Sequence, residues 1–226
     1  MSLITRARER AREIQTKAID RLASSVNRRD EVPNVRLAES IVKKDDEEAI
    51  LDLIRNLANK DKEIQSDCIK VLYEVGERKP AMIARFAEEF GALLESKNNR
   101  VAWGAMTALD SIAMERPETL HRMMPKIIAS ANKGSVISRD HAVSILTKLA
   151  SRKEYSDDAV PKLLEQLRRS PNNQLPAYAE KAITIVDDKN RDRFLKVLRS
   201  RLSGIQGESK RRRLEKVIAR LIRGSP

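Results

Sequence analysis

An all-α fold, built as a tandem array of paired helices, follows from three observations in this 226-residue sequence. Apolar residues recur at three- and four-residue steps along most of the chain, the period of a helix that buries one face. Turn material is scarce: 7 glycines and 8 prolines are too few for an all-β protein of this length. The sequence also matches itself when shifted by 37 residues. Ile64, Cys68, Leu72, Val75 and Pro80 then fall on Val101, Ala105, Leu109, Ile112 and Pro117. The same shift carries Ala105 and Leu109 to Ala142 and Leu146, and these to Ala179 and Ile183; a step of 38 reaches Val217 and Leu221.

The N-terminal part, 1–45, reads as a helical cap and linker. Over 3–26, Ile4, Ala7, Ala11, Ile14, Ala18 and Leu22 share a narrow face of one long helix. That face either covers the first repeat, which a repeat array needs at its ends, or forms a helix–helix dimer seam, its spacing being close to a heptad. "SSVNRRDEVPN" is a linker, and 34–43 a short helix of the cap. The array occupies 46–226, in units 46–80, 81–117, 118–154, 155–188 and 189–226. First helices are predicted over 46–58, 81–95, 118–131, 157–169 and 189–202, second helices over 62–78, 98–116, 136–151, 173–186 and 208–223. The first helices register as well: Ile50, Leu53, Ile54 and Leu57 map to Met124, Ile127, Ile128 and Ala131, and to Val160, Leu163, Leu164 and Leu167. Asp45 or Asp46, and Asp157, stand where a carboxylate would cap a helix N-terminus. Pro80 and Pro117 separate units, because proline cannot continue the helix before it.

Composition narrows the function. No apolar run approaches the roughly 18 residues of a membrane span, and no signal-peptide core follows the start. One cysteine, Cys68, leaves no internal disulfide and fits a reducing cytoplasm; it reads as a small buried helix residue. Seven glycines assemble neither a P-loop nor a dinucleotide fingerprint. His121 and His141 have no partner spacing for a metal and read as surface or boundary residues. No catalytic residue, cofactor or metal site is predicted, and no small-molecule substrate.

The second helices, "NNRVAWGAMTALDSIA" (98–113) above all, resemble the HEAT repeat of the armadillo-type α-solenoid superfamily: an aliphatic residue, a small residue four later and a leucine four beyond. The resemblance covers about 46–223. It departs at the arginine that usually follows the aliphatic, which is Gln65, Ala102 and Pro176 here and survives only as Arg139. It implies a right-handed superhelix of about five HEAT-like pairs behind the cap, with second helices lining a concave groove. On the helical wheel Trp103 lies opposite Val101, Ala105 and Leu109, in line with Thr107 and Asp110. Equivalent lines carry Lys70 and Tyr73, and Lys181. Trp103, Tyr73, Lys70, Thr107, Asp110 and Lys181 are therefore the groove candidates for binding a partner; the alternative for Trp103 is flat packing against a neighbouring helix. One group of DNA glycosylases is also built from HEAT-like repeats. Its cradle of several aromatics cannot be assembled where aromatics make up 3% of the chain.

Charge is concentrated at the ends. The chain has a net charge of +12: residues 1–30 carry eight basic against four acidic residues, 31–188 nearly balance, and 189–226 carry thirteen against three. In the last helix Arg212, Arg213, Lys216, Arg220 and Arg223 fall on one side, opposite Leu214, Val217, Ile218 and Leu221. Lys189, Arg193 and Lys196 project from the helix before. These eight are the candidates for an anionic partner, against the reading of a merely solvated face. The sequence thus predicts a non-enzymatic scaffold that binds a macromolecule, a protein foremost. A sequence-independent nucleic-acid binder is the alternative, and a HEAT-like DNA glycosylase stands third.

Overall fold

A computed structural model of the chain describes residues 17–224. All regular structure among them is helical, and it falls into two compact units, 1–112 and 113–226.

The described residues of unit 1 hold five α-helices. α1 (Val32–Lys44) has a proline in its first turn, where the missing N–H costs nothing. It closes on Asp45 in the left-handed region, φ 50°. Asp46 opens α2 (Glu47–Asn56), its carboxylate accepting the Ala49 N–H at 3.0 Å. The two adjacent aspartates therefore divide the work, one ending a helix and the other capping the next. α3 (Lys62–Arg78) opens on Asp61, which accepts the Glu63 N–H at 2.7 Å. After Pro80 the helix expected over 81–95 contracts to α4 (Ala87–Leu93), preceded by two 3-10 turns. Ile83 and Phe86, three residues apart, are both buried, and a three-residue turn keeps such a pair on one side. α5 (Asn99–Ser111) opens on Asn98, whose side chain accepts the Arg100 N–H and donates to Lys62 and Ser66 of α3. It ends earlier than the expected 98–116, where the Ser111 hydroxyl donates to the Ala108 carbonyl.

α3 is the centre of this unit, packed against α1, α2 and α5. Cys68, Leu72 and Val75 and their counterparts Ala105, Leu109 and Ile112 are all fully buried. Gly104 lets α3 and α5 meet closely: a Cβ there would lie 2.8 Å from Ile69 Cγ1. The long helix expected over 3–26 lies largely outside the described residues. Its described end is not α-helical: Ala18–Arg21 is a 3-10 turn, followed by turns. The cause is competition for the amides. The N–H groups of Ile19, Ala23 and Ser24 donate to Asp52, Asn34 and Asp67, side chains of α2, α1 and α3.

The described residues of unit 2 hold three helix pairs. α6 (Pro117–Lys133) begins on Pro117. α7 (Val136–Ala150) opens on Ser135, which accepts the Ser138 N–H. α8 (Lys153–Arg169) starts four residues before the expected 157, on Arg152, so Asp157 is an interior residue rather than an N-cap. Tyr155, in the added turn, packs on the His121 ring with centroids 4.8 Å apart. α9 (Leu175–Ala182) runs into a 3-10 turn at Ile183–Ile185. α10 (Arg191–Leu202) and α11 (Glu208–Arg223) complete the unit. Gly207, at φ 85°, makes the entry to α11, a conformation that β-carbons resist. α7 packs on α9 and α9 on α11, forming one row, while α6, α8 and α10 supply the first member of each pair.

Candidate partner-binding surfaces

The groove candidates separate once placed. Tyr73, Thr107 and Asp110 are buried, Lys181 is exposed, and Trp103 and Lys70 are intermediate. In unit 1 the line expected to be an open polar face is therefore mostly internal, while Lys181 of unit 2 stays on the surface. The reason is local: the Thr107 hydroxyl donates to the Trp103 carbonyl at 3.0 Å, and Ser66 and Thr147 bond the carbonyls four residues back in the same way. A hydroxyl satisfied by its own helix can be buried at little cost. Trp103 packs on Tyr73 with ring centroids 5.8 Å apart, so neighbour packing is the main feature of its environment. Its emission is expected to be only partly quenched by acrylamide, and Tyr73→Ala should increase the quenching; a wild-type constant equal to that of free tryptophan would contradict this placement.

Lys70 is the hub of an ionic chain that ties α1 to α3. Its ammonium meets Glu74 at 2.7 Å and Glu31 at 3.0 Å, and lies 4.8 Å from the centre of the Tyr73 ring. Glu74 also pairs with Arg78, which reaches Glu39 at 3.8 Å. Burial pulls the Lys70 pKa down, but hydrogen bonds to Glu74, Tyr73 and Glu31 outweigh it and hold the pKa above the ordinary value. Burial likewise pushes the Glu74 carboxyl up, and Lys70 and Arg78 together bring it below its ordinary 4.5. A depressed folded-state pKa contributes stability that is present above the unfolded value and lost as pH falls through the folded one. Glu74→Gln should therefore flatten the acid limb of a stability–pH curve below about pH 4.5. An unchanged limb would show that Glu74 carries none of it.

The eight basic candidates do not form one surface. On α11, Arg213 makes a two-pronged pair with Glu180 of α9, at 2.7 and 2.5 Å, and Arg212 pairs with Glu208 at 2.5 Å. The bond to Glu180 raises the Arg213 pKa and lowers that of Glu180. Lys216, Arg220 and Arg223 remain exposed along one line, with no ion pair among the described residues. Lys189 is not on a helix but in the turn before α10, where Asp187 accepts the amides of Lys189 and Asn190. Arg193 and Lys196 turn elsewhere, lining a groove against α8.

Some organising residues were not foreseen. Asn34 is fully buried; it accepts the Ala23 N–H at 2.9 Å and donates to Asp67 at 2.7 Å. The signal was present, since Asn34 shares a stripe with Leu37, Ala38 and Ile41 where periodicity asks for an apolar residue. The Tyr178 hydroxyl donates to Asp140 at 2.5 Å, with burial and that bond raising the phenol pKa. Burial also pushes the Cys68 thiol up, which makes it a poor nucleophile. Among the described residues no cluster of metal-ligating side chains occurs, and no helix is long and apolar enough to cross a membrane.

Two solved structures share this architecture, both engineered proteins from the Northeast Structural Genomics Consortium. One superposes with a TM-score of 0.60 at 17% identity, covering 84% of this chain and 85% of its own. The other gives 0.59 at 14%, covering 92% and 100%. At such identities the likeness is one of fold alone. No curated protein matches the sequence. Residues 7–180 match the family described as "Sister chromatid cohesion protein PDS5 protein". That stretch runs from before unit 1's described residues to α9 and leaves α10 and α11 outside it. With most of its length matched and its helices paired as the repeat requires, the chain belongs to the PDS5 family, within the HEAT-repeat superfamily of helical arrays.

Proposed function

We propose that the chain is a non-enzymatic scaffold that holds a protein partner, with the cationic line of α11 meeting acidic groups on it. The observation that carries this is the trio Lys216, Arg220 and Arg223, exposed on one side of α11 without carboxylates. Lys216 and Arg220 stand at i and i+4, an arrangement that costs an isolated helix a few tenths of a kcal/mol. Elsewhere on the same helix Arg211, Arg212 and Arg213 pair with Glu215, Glu208 and Glu180, so the unpaired line is a local departure. The family's description as one of sister chromatid cohesion supports a macromolecular partner. The buried thiol of Cys68 is in keeping with a reducing compartment.

Chromatids carry DNA, and the same line would also hold phosphates, so nucleic acid is the second reading. Co-purification of the tagged full chain, with and without nuclease, separates the two. Under the first reading the partner survives nuclease and is lost on changing Lys216, Arg220 and Arg223 to Gln. A nuclease-sensitive partner favours the second. Three phosphate contacts would then give a log–log salt slope of about −3 on duplex DNA, which the triple change should flatten regardless of sequence. Retention of every partner by the triple variant would remove the α11 line from both readings. The substitutions should leave thermal stability unchanged or slightly raised, since they remove like-charge repulsion.

A further inference from the structure

We propose that the face of unit 2 formed by α6, α8 and α10 is a docking surface for an extended acidic peptide segment with two apolar anchors. This goes beyond the reading above and involves a different set of residues. Two grooves lie side by side on this face. The one between α6 and α8 has a volume of about 490 Å³, with Met124, Pro125 and Ile128 on one wall and Lys162, Gln166 and Arg169 on the other. The one between α8 and α10 has about 390 Å³, with Pro161, Leu164 and Val197 as its apolar lining and Arg193 and Lys196 at its edge.

Charge selects the occupant. The two carboxylates that line the grooves are engaged: Asp158 with His121 at 2.9 Å and Glu165 with Arg168 at 2.5 Å. Lys162, Arg169, Arg193 and Lys196 are exposed and have no ion pair among the described residues. Apolar grooves edged by four unpaired cations suit a segment that carries both acids and apolar side chains. No tryptophan, tyrosine or phenylalanine lines either groove, which disfavours a nucleic-acid strand that would stack its bases.

The wall also offers peptide-like polar groups. Gln166 is 1% exposed and gives its side-chain N–H to Asn132 Oδ1 at 3.3 Å, while its own Oε1 has no partner. That bond holds the exposed Asn132 carboxamide at the end of the groove, with its N–H₂ available to a peptide carbonyl. Proline at 125 has no N–H to give the carbonyl of His121, on the same wall. Spacing completes the description. Neighbouring helices lie about 10 Å apart, so the grooves do too, and a chain extended as polyproline II covers that distance in about three residues at about 3.1 Å each, returning to the same side at every third residue. The anchors therefore belong at positions i and i+3.

The test uses the full chain and a fluorescein-labelled octapeptide pool with Leu at positions three and six and Asp or Glu elsewhere. Saturable binding is expected by fluorescence polarisation, with amide shifts of the ¹⁵N-labelled protein confined to α6, α8 and α10. Lys162→Glu with Arg193→Glu should weaken it at least tenfold and Asn132→Ala several-fold. These three residues are exposed, and a retained helical spectrum checks the fold. Changing Lys216, Arg220 and Arg223 to Gln should leave it unaltered, which separates this surface from the α11 line. Absence of saturable binding, equal binding of a pool with Ser for Leu, or indifference to the charge reversal would each overturn the proposal. Competition by an oligothymidylate at the same amides would overturn it too, assigning the face to nucleic acid.

Discussion

Leu72→Ala is expected to destabilise unit 1 by about 2–5 kcal/mol, the usual range for emptying a packed leucine site. Leu72 is fully buried on α3, the helix that packs against α1, α2 and α5 at once. Three neighbouring helices cannot all close on one lost isobutyl group, because moving α3 toward one draws it from another. The contact at Gly104, already too tight for a Cβ beside Ile69, shows how little slack that packing has. Leu72→Met, which roughly conserves volume, should cost under about 1.5 kcal/mol. Urea unfolding followed by circular dichroism measures both. A loss below about 1 kcal/mol for the alanine variant would mean that this register position is not the packing centre described here.

Leu72 also shows why so much of the fold could be read in advance. Its counterparts Leu109 and Leu146 are fully buried too, and helical period plus a constant shift is enough to find such residues. α3 and α11 begin and end where periodicity placed them. What escaped depends on partners distant in sequence or on satisfaction within a turn. The segment after Lys17 is drawn out of helical geometry by Asp52, Asn34 and Asp67, which lie 11 to 43 residues away. Thr107 reads as polar on a helical wheel, yet its hydroxyl closes on the carbonyl four residues back and is buried. Arg213 reads as a free cation, yet its partner Glu180 sits 33 residues earlier. The grooves beside α8 arise from the spacing of helices, which periodicity does not report; of that face only the cations Arg193 and Lys196 were legible in the sequence. The exposed line of Lys216, Arg220 and Arg223 was legible because it lies within one helix.

The second large effect is expected at Asn34, and the choice of substitution decides what it shows. Asn34 bridges two requirements with one amide: its oxygen takes the Ala23 N–H and its nitrogen serves Asp67, whose other oxygen accepts the Ser24 N–H at 2.7 Å. Asn34→Leu keeps the volume but leaves a buried N–H and one carboxylate oxygen without partners. Each unsatisfied group costs about 1–3 kcal/mol, more where a charge is involved, so a loss of about 3 kcal/mol is expected. Asn34→Asp keeps the shape and the bond to Ala23 but sets a second carboxylate against Asp67 Oδ1, where the donor stood at 2.7 Å. Two carboxylates at that distance cannot both ionise freely, so the pKa of the pair is raised in the folded state. The folded protein then binds more protons than the unfolded chain, and stability falls as pH rises. Asn34→Asp should therefore lie below Asn34→Leu at pH 7 and recover part of the difference towards pH 5, whereas Asn34→Leu should show no such recovery. Urea titrations of both variants at the two pH values read this directly. Equal stability of the two at pH 7, or an Asn34→Asp variant that does not gain on acidification, would show that the amide is not the bridge between Ala23 and Asp67.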